Sequence, residues 1–177
     1  MSAYSKMGSV NADVLVRSHV DYFLKIDGIP GESQDRTHKS EIDLSSWYWG
    51  ETQATTVNQG GGLGAGKVSL KDFRFVMTVN KASPKLALAC AQGDHIKTAV
   101  LTCRKAGMQQ QEYLKYSFWD LMVTSYETTG DPQTPLPTDQ ITLAFTKYQV
   151  DYKEQKADGT LGGAVQAWYD QKQQISA

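Results

Sequence analysis

The sequence predicts a mainly β fold, a β-barrel of two packed antiparallel sheets flanked by one short α-helix. Three observations carry this expectation. Apolar and polar residues alternate over most of the chain, which is strand periodicity. A single segment carries full helix punctuation, and two long apolar stretches change phase part-way, as strands bent around a barrel do. A length of 177 residues suits one domain that buries about two thirds of its unfolded surface.

Taken in order, residues 1–19 precede the first alternating segment and form an N-terminal extension, for which disorder, an added strand edge or a start at Met7 are the alternatives. A single domain is expected over 20–177. Residues 20–27 (VDYFLKID) and 40–50 (SEIDLSSWYWG) are strands separated by the turn-forming GIPGESQDRTHK. In KVSLKDFRFVMTV the alternation shifts phase near Lys71 and Asp72, which predicts a bulge. A helix follows, with Ser83 as its cap, Pro84 in its first turn and Gly93 ending it in the left-handed conformation. Leu86, Ala89 and Cys90 share one face of that helix. Further strands are expected at 95–105, 112–128, 140–153 and 165–173. In 140–153, Ile141, Leu143 and Phe145 share one parity while Tyr148, Val150 and Tyr152 share the other, so an extra residue is expected near Thr146. Residues 128–139 hold three of the chain's five prolines and form a long exposed loop.

Eighteen basic and nineteen acidic residues leave a net charge of −1, without a basic run, which argues against nucleic acid as a partner. No apolar window reaches a membrane span, and the N-terminus has only residues 14–16 as an apolar run, so neither membrane insertion nor a conventional export signal is expected. Cys90 and Cys103 fit neither a redox pair nor a zinc knuckle and are expected to be small core residues in a reducing cytoplasm. His19, His38 and His95 lack ligand spacing, so no metal site and no cofactor are expected. No nucleophile–base motif nominates a catalytic residue, and an enzyme is not expected. Glu32 and Asp35 sit in a turn where such side chains bond local backbone.

The stretch QGGGLGAGK is nearly a phosphate-binding loop: Gly61, Gly66 and Lys67 match, but Val68 stands where a magnesium-binding hydroxyl belongs. A strand follows it rather than a helix, whose N-terminus the motif requires. A small-ligand or nucleotide-binding protein using residues 60–67 is therefore the second reading, and a Gly loop between two strands the first. Trp47 and Trp49 point to one face of their strand and Tyr48 to the other. Likewise Phe118, Met122 and Tyr126 are expected opposite Trp119, Leu121 and Val123. Strands apolar on both faces of a small barrel point toward subunit association.

Six collinear blocks, KIDGIPGES (25–33), THKSEIDLSSWYWG (37–50), GGGLGAGKVSLKDF (60–73), SPKLALACAQGDHI (83–96), LTCRKAG (101–107) and VDYKEQKADG (150–159), closely resemble the haemolysin-coregulated proteins, Hcp, of the bacterial type VI secretion system. The likeness spans roughly 20–174, and six spaced blocks are far more specific than any one motif. The resemblance implies a structural, non-enzymatic subunit of homohexameric rings that stack head to tail into a tube, working with spike and sheath components. It implies effector proteins carried in the lumen, and secretion from the bacterial cytoplasm without a signal peptide; the end of the chain at Ala177 is expected to leave no room for a fused effector domain. Residues 51–66 match the family's extended loop, which reaches a neighbouring subunit or ring; Glu51, Gln59, Gly60, Gly61, Gly62, Gly64 and Gly66 are its candidate interface residues. Tyr48 matches a lumen-facing, effector-facing position that is often small in the family, and Trp47 and Trp49 are candidate core aromatics.

Overall fold

The computed structural model describes residues 20–57, 63–105, 110–133, 135–156 and 158–176, with backbone alone at 55–57 and 63–67. Twelve strands and one helix are formed among them: β1 (Val20–Ile26), β2 (Ile42–Asp43), β3 (Ser46–Tyr48), β4 (Glu51–Val57), β5 (Leu63–Leu70), β6 (Phe73–Thr78), α1 (Ser83–Gln92), β7 (His95–Lys105), β8 (Glu112–Thr129), β9 (Thr138–Ala144), β10 (Lys147–Gln155), β11 (Leu161–Asp170) and β12 (Ile175–Ser176). All strand pairings are antiparallel.

The long strand β8 belongs to two layers. Its first half pairs with β7 and β10, giving the order β2-β1-β7-β8-β10-β11-β12. Its second half pairs with β9, which continues through β6 to β3. The circuit returns to β1 where β2 runs into β3: Leu44 N–H donates to the Tyr22 carbonyl at 3.0 Å and Ser45 N–H to the Val76 carbonyl at 2.9 Å. The expected barrel is therefore not closed by its ladders: the sheet ends at β2 and at β3, and two backbone bonds alone bridge the gap. Inward residues of both layers bury Leu24, Ile42, Phe73, Phe75, Met77, Leu101, Phe118, Leu121, Ile141 and Leu143 completely. Each strand's alternation dictates which of its residues do so.

The bend in β8 occurs at Asp120, a non-glycine residue at φ 55°. This corrects one expectation. Phe118 does not oppose Leu121 and Val123; all three are buried in the same core, because the left-handed residue between them shifts the strand's parity. Beside it the chain breaks between β9 and β10, so Phe145 and Tyr148 also face inward from opposite parities, as expected near Thr146. The corner is tied through the Asp120 carboxylate, which accepts from Thr146 Oγ1 at 3.2 Å, meets His95 Nδ1 at 3.3 Å and pairs with Lys172 Nζ. Lys172 first, with help from Thr146 and His95, holds that carboxyl below the usual carboxylate range. Aspartate tolerates the left-handed region, whereas a β-branched side chain does not. Asp120→Val should therefore cost about 2–3 kcal/mol, roughly 1–2 from the backbone and the rest from lost bonds. Urea denaturation measures it, with Asp120→Gly, which keeps the turn, losing much less.

The helix ends as expected, with Gly93 at φ 67°, but Ser83 does not cap it. Ala82 holds the cap position, and Asn80 Oδ1 accepts the Ala82 N–H at 2.9 Å while Ser83 Oγ accepts the Asn80 N–H at 3.0 Å. Ser83, Leu86 and Ala89 are buried, and Cys90 is half-buried. The last long strand begins at Leu161, earlier than expected, and ends at Asp170.

Candidate assembly surface

Residues 51–57 and 63–70 form a two-stranded ribbon that pairs with no other described strand. The expected Gly loop is thus largely a β-hairpin, because the register Thr55↔Ala65, Thr56↔Gly64, Val57↔Leu63 continues into the glycine-rich half. Gln59, Gly60, Gly61 and Gly62 lie outside the described residues, while Gly64 and Gly66 are in β5. Lys67 is likewise in a strand, so residues 63–67 do not open a helix as a phosphate cradle requires. An isolated two-stranded ribbon is marginal in water and needs a surface to lie on.

Glu51 holds the ribbon's base to its own barrel. Its Oε2 accepts the Tyr148 hydroxyl at 2.9 Å, and Lys71 N–H donates to the Gly50 carbonyl at 3.0 Å. Burial first, then the Glu51 carboxylate, pushes the Tyr148 phenol well above its ordinary value. Tyr148→Phe should cost about 1 kcal/mol, the net worth of one such bond, and speed hydrogen exchange at Glu51 and Lys71. Exchange mass spectrometry checks this; unchanged exchange at the ribbon base would count against the anchor.

The aromatic triplet divides as its alternation predicts. Trp47 lies 5.4 Å from Tyr116 and 6.5 Å from Phe73, and Trp49 lies 4.5 Å from Tyr148 and 6.3 Å from Phe118, both half-buried against the core. Tyr48 points the other way and is 53 % exposed.

A second open surface was missing from the expected site residues. Strands β10–β12 extend past the barrel, and the face that buries Tyr148 continues through Val150 and Tyr152 on β10 to Ala167 and Val165 on β11. Tyr152 is 46 % and Val165 70 % exposed, so the core face of the extension runs out uncovered. The signal was present in the Tyr148, Val150, Tyr152 parity, but sequence alone does not say where the barrel stops. On the opposite face Lys147 Nζ sits between the Trp119 and Trp168 rings, 5.4 and 4.8 Å from their centroids.

Other polar residues serve the fold. Arg104, with a side chain 5 % exposed, donates to Asp21 at 2.9 Å and Asp35 at 2.7 Å. Asp35 also accepts the Thr37 and His38 N–H groups, the local bonding expected of it, whereas Glu32 reaches across to the Lys81 N–H at 2.9 Å. Burial pushes the Cys103 thiol up to about 12, which keeps it protonated and unreactive. Among the described residues no cluster of three or more His, Cys, Asp or Glu is arranged to hold a metal ion, and no helix is long and apolar enough to cross a membrane.

Comparison with known proteins supplies the context for these surfaces. Residues 23–152 match a family described as Type VI secretion system effector, Hcp. The chain is 42 % identical over 160 residues to Protein hcp1 of Pseudomonas aeruginosa, covering 89 % of this chain and 99 % of that protein. The crystal structure of Hcp1 from Salmonella typhimurium superposes with a TM-score of 0.76 at 39 % identity, covering 89 % of this chain and 99 % of the other. A type VI secretion system effector from Yersinia pestis gives a TM-score of 0.70 at 37 % identity over 85 % and 99 % of the two chains.

Proposed function

The chain belongs to the Hcp family of type VI secretion proteins, and from that premise we propose how its surfaces serve a stacked, homohexameric tube. It is a secreted structural protein of that system and assembles with copies of itself into rings, as its family does. On our reading it has no catalytic activity, is made in the bacterial cytoplasm and leaves without a signal peptide. It meets spike and sheath components as part of the tube and carries effector proteins in the lumen.

One observation carries the structural side of this reading: two elements of the chain are half-made. Among the described residues the β4–β5 ribbon pairs with no other strand, and nothing covers the Tyr152–Val165 strip. A second copy supplies both, with the ribbon and its glycines (Gly60, Gly61, Gly62, Gly64 and Gly66, with Gln59 and Glu51 beside them) lying against the next subunit or ring. Tyr48, exposed on the outer face of the smaller layer, is the lumen-facing residue in this arrangement. Native mass spectrometry should report six-membered rings at micromolar concentration; a strict monomer overturns the reading. Val165→Glu is expected to weaken rings while leaving the monomer folded, since that side chain is already 70 % exposed and only association removes it from water.

A further inference from the structure

We propose that the outer face of the smaller layer carries an oxyanion clamp, built from Tyr48, Lys71 and Arg74, that binds acidic segments of protein clients. The idea rests on the ring reading only for where a client is met; the clamp itself belongs to the single chain. Tyr48 on β3 is the direct cross-strand partner of Arg74 on β6, so the two side chains leave the sheet on the same face, about 5 Å apart at their Cβ atoms. Lys71, in the two-residue link between β5 and β6, brings its Nζ to 3.3 Å from the Tyr48 hydroxyl and 5.9 Å from the ring centroid. All three residues are exposed.

The chemistry of the trio is one-sided. Lys71 donates to the phenol oxygen, which leaves the Tyr48 O–H free to donate outward. Lysine and arginine have donors only, so the trio offers an ammonium, a hydroxyl and a guanidinium, each with hydrogens to give. Among the described residues no carboxylate forms an ion pair with Lys71 or Arg74. The neighbouring Asp72 is occupied instead by the Thr124 hydroxyl at 2.9 Å. A carboxylate set at the hydroxyl end of Tyr48 would therefore take charge-assisted bonds from Lys71 and Arg74 and a further bond from the phenol O–H.

An acidic protein segment fits this patch better than nucleic acid. Two cations make a point of attachment, whereas nucleic-acid binding neutralises many phosphates along a basic face. Here the face also carries Asp72 and, farther along β8, the exposed Glu127, and the whole chain has a net charge of −1. A polyanion with one charge per residue-length step would meet those carboxylates, while a client with spaced Asp and Glu residues avoids them.

Fluorescence anisotropy with a labelled Gly/Ser peptide carrying a glutamate at every fourth position tests the clamp on the full chain. Lys71→Gln/Arg74→Gln should bind about tenfold more weakly, a modest loss because exposed ion pairs are individually weak. Tyr48→Phe, which removes only the hydroxyl, should bind a few-fold more weakly, and about half-molar salt should weaken the wild type as screening shortens the reach of the charges. Unchanged affinity in the double variant overturns the proposal. So does tighter binding of oligothymidylate that disappears in the same variants, which would assign the patch to nucleic acid. Native mass spectrometry on the same samples separates the two readings: rings that dissolve in the double variant make the patch a subunit contact and overturn the clamp. A wild type that forms no rings removes the tube reading, while the peptide titration still decides the clamp.

Discussion

Replacing Arg104 with methionine should lower the unfolding free energy by about 3–5 kcal/mol, the range for breaking a buried ion pair by removing one partner. Methionine keeps most of the volume, so the loss is electrostatic. It strands the Asp35 carboxylate, 18 % exposed, beside the Asp21 carboxylate that shared the same guanidinium. It also removes the cation lying 4.7 Å from the Phe23 ring, which stacks against His38 at 4.2 Å. The cost reaches beyond one pair because Asp35 orders the turn that holds Thr37 and His38. Arg104→Met combined with Asp35→Asn should lose less than the sum of the single changes, since the stranded charge is then gone. The pH dependence has a definite sign. The Arg104 guanidinium beside Asp35 holds its carboxyl well below the usual carboxylate range. A depressed folded-state value means the contribution is fully present above the unfolded value of about 3.9 and is lost as pH falls through the folded one. Urea titrations of wild type and Arg104→Met should therefore differ most at neutral pH and converge in acid; a gap that widens below about pH 4 would contradict the assignment.

The second large effect is expected from Gly31→Ala. A Cβ at Gly31 would stand 2.3 Å from the Glu41 carbonyl oxygen and 2.7 Å from both the Glu41 carbonyl carbon and the Ile42 Cα. These are backbone atoms, so no rotamer relieves the clash. The close approach exists because the segment pairs like a ladder: Gly31 N–H donates to the Ser40 carbonyl at 2.8 Å, and Ser33 N–H to the Glu41 carbonyl at 3.0 Å. Overpacking against immovable neighbours should cost about 3 kcal/mol or more and lower Tm by roughly 6–12 °C for a chain of this size. Gly28→Ala is the control. Its Cβ meets nothing within 4 Å, and only the positive φ of 77° is penalised, so about 1–2 kcal/mol is expected. Equal Tm losses in the two variants would show that backbone conformation, rather than close approach, sets the requirement for glycine.

What the sequence disclosed and what it hid follow from how far each signal reaches. Periodicity is local, so most strands and the end of α1 at Gly93 were legible. The break at Thr146 was legible too, because Ile141–Phe145 and Tyr148–Tyr152 each carry apolar residues on one parity only. The matching shift at Asp120 was not: β8 is aromatic or aliphatic at Phe118, Trp119, Leu121 and Met122 in succession, and a strand apolar on both faces has no parity to break. Ser83 resembled a cap, but the helix already begins at it: Ala82 holds the cap position with no side-chain cap bond, and the Ser83 hydroxyl accepts the Asn80 N–H instead. The Arg104 pairs lie 83 and 69 residues from their partners, beyond any spacing rule. Lys71 was visible only as part of a phase shift. Its nearness to Tyr48 depends on β3 and β6 becoming neighbours, which is a fact of topology.

The β4–β5 ribbon gives the molecule a stability that is not one number. Its two strands satisfy each other along one edge, and among the described residues their outer edges pair with no strand while Glu51 ties the base to the barrel. On the proposed reading, in which another copy completes the ribbon, the last part of folding is a bimolecular step governed by mass action, and the chain would be firmer in a tube than in dilute solution. Order in the ribbon would then be a record of whether neighbours are present. On that reading, a subunit released from its ring would betray itself first at residues 51–57 and 63–70, before the barrel loosened.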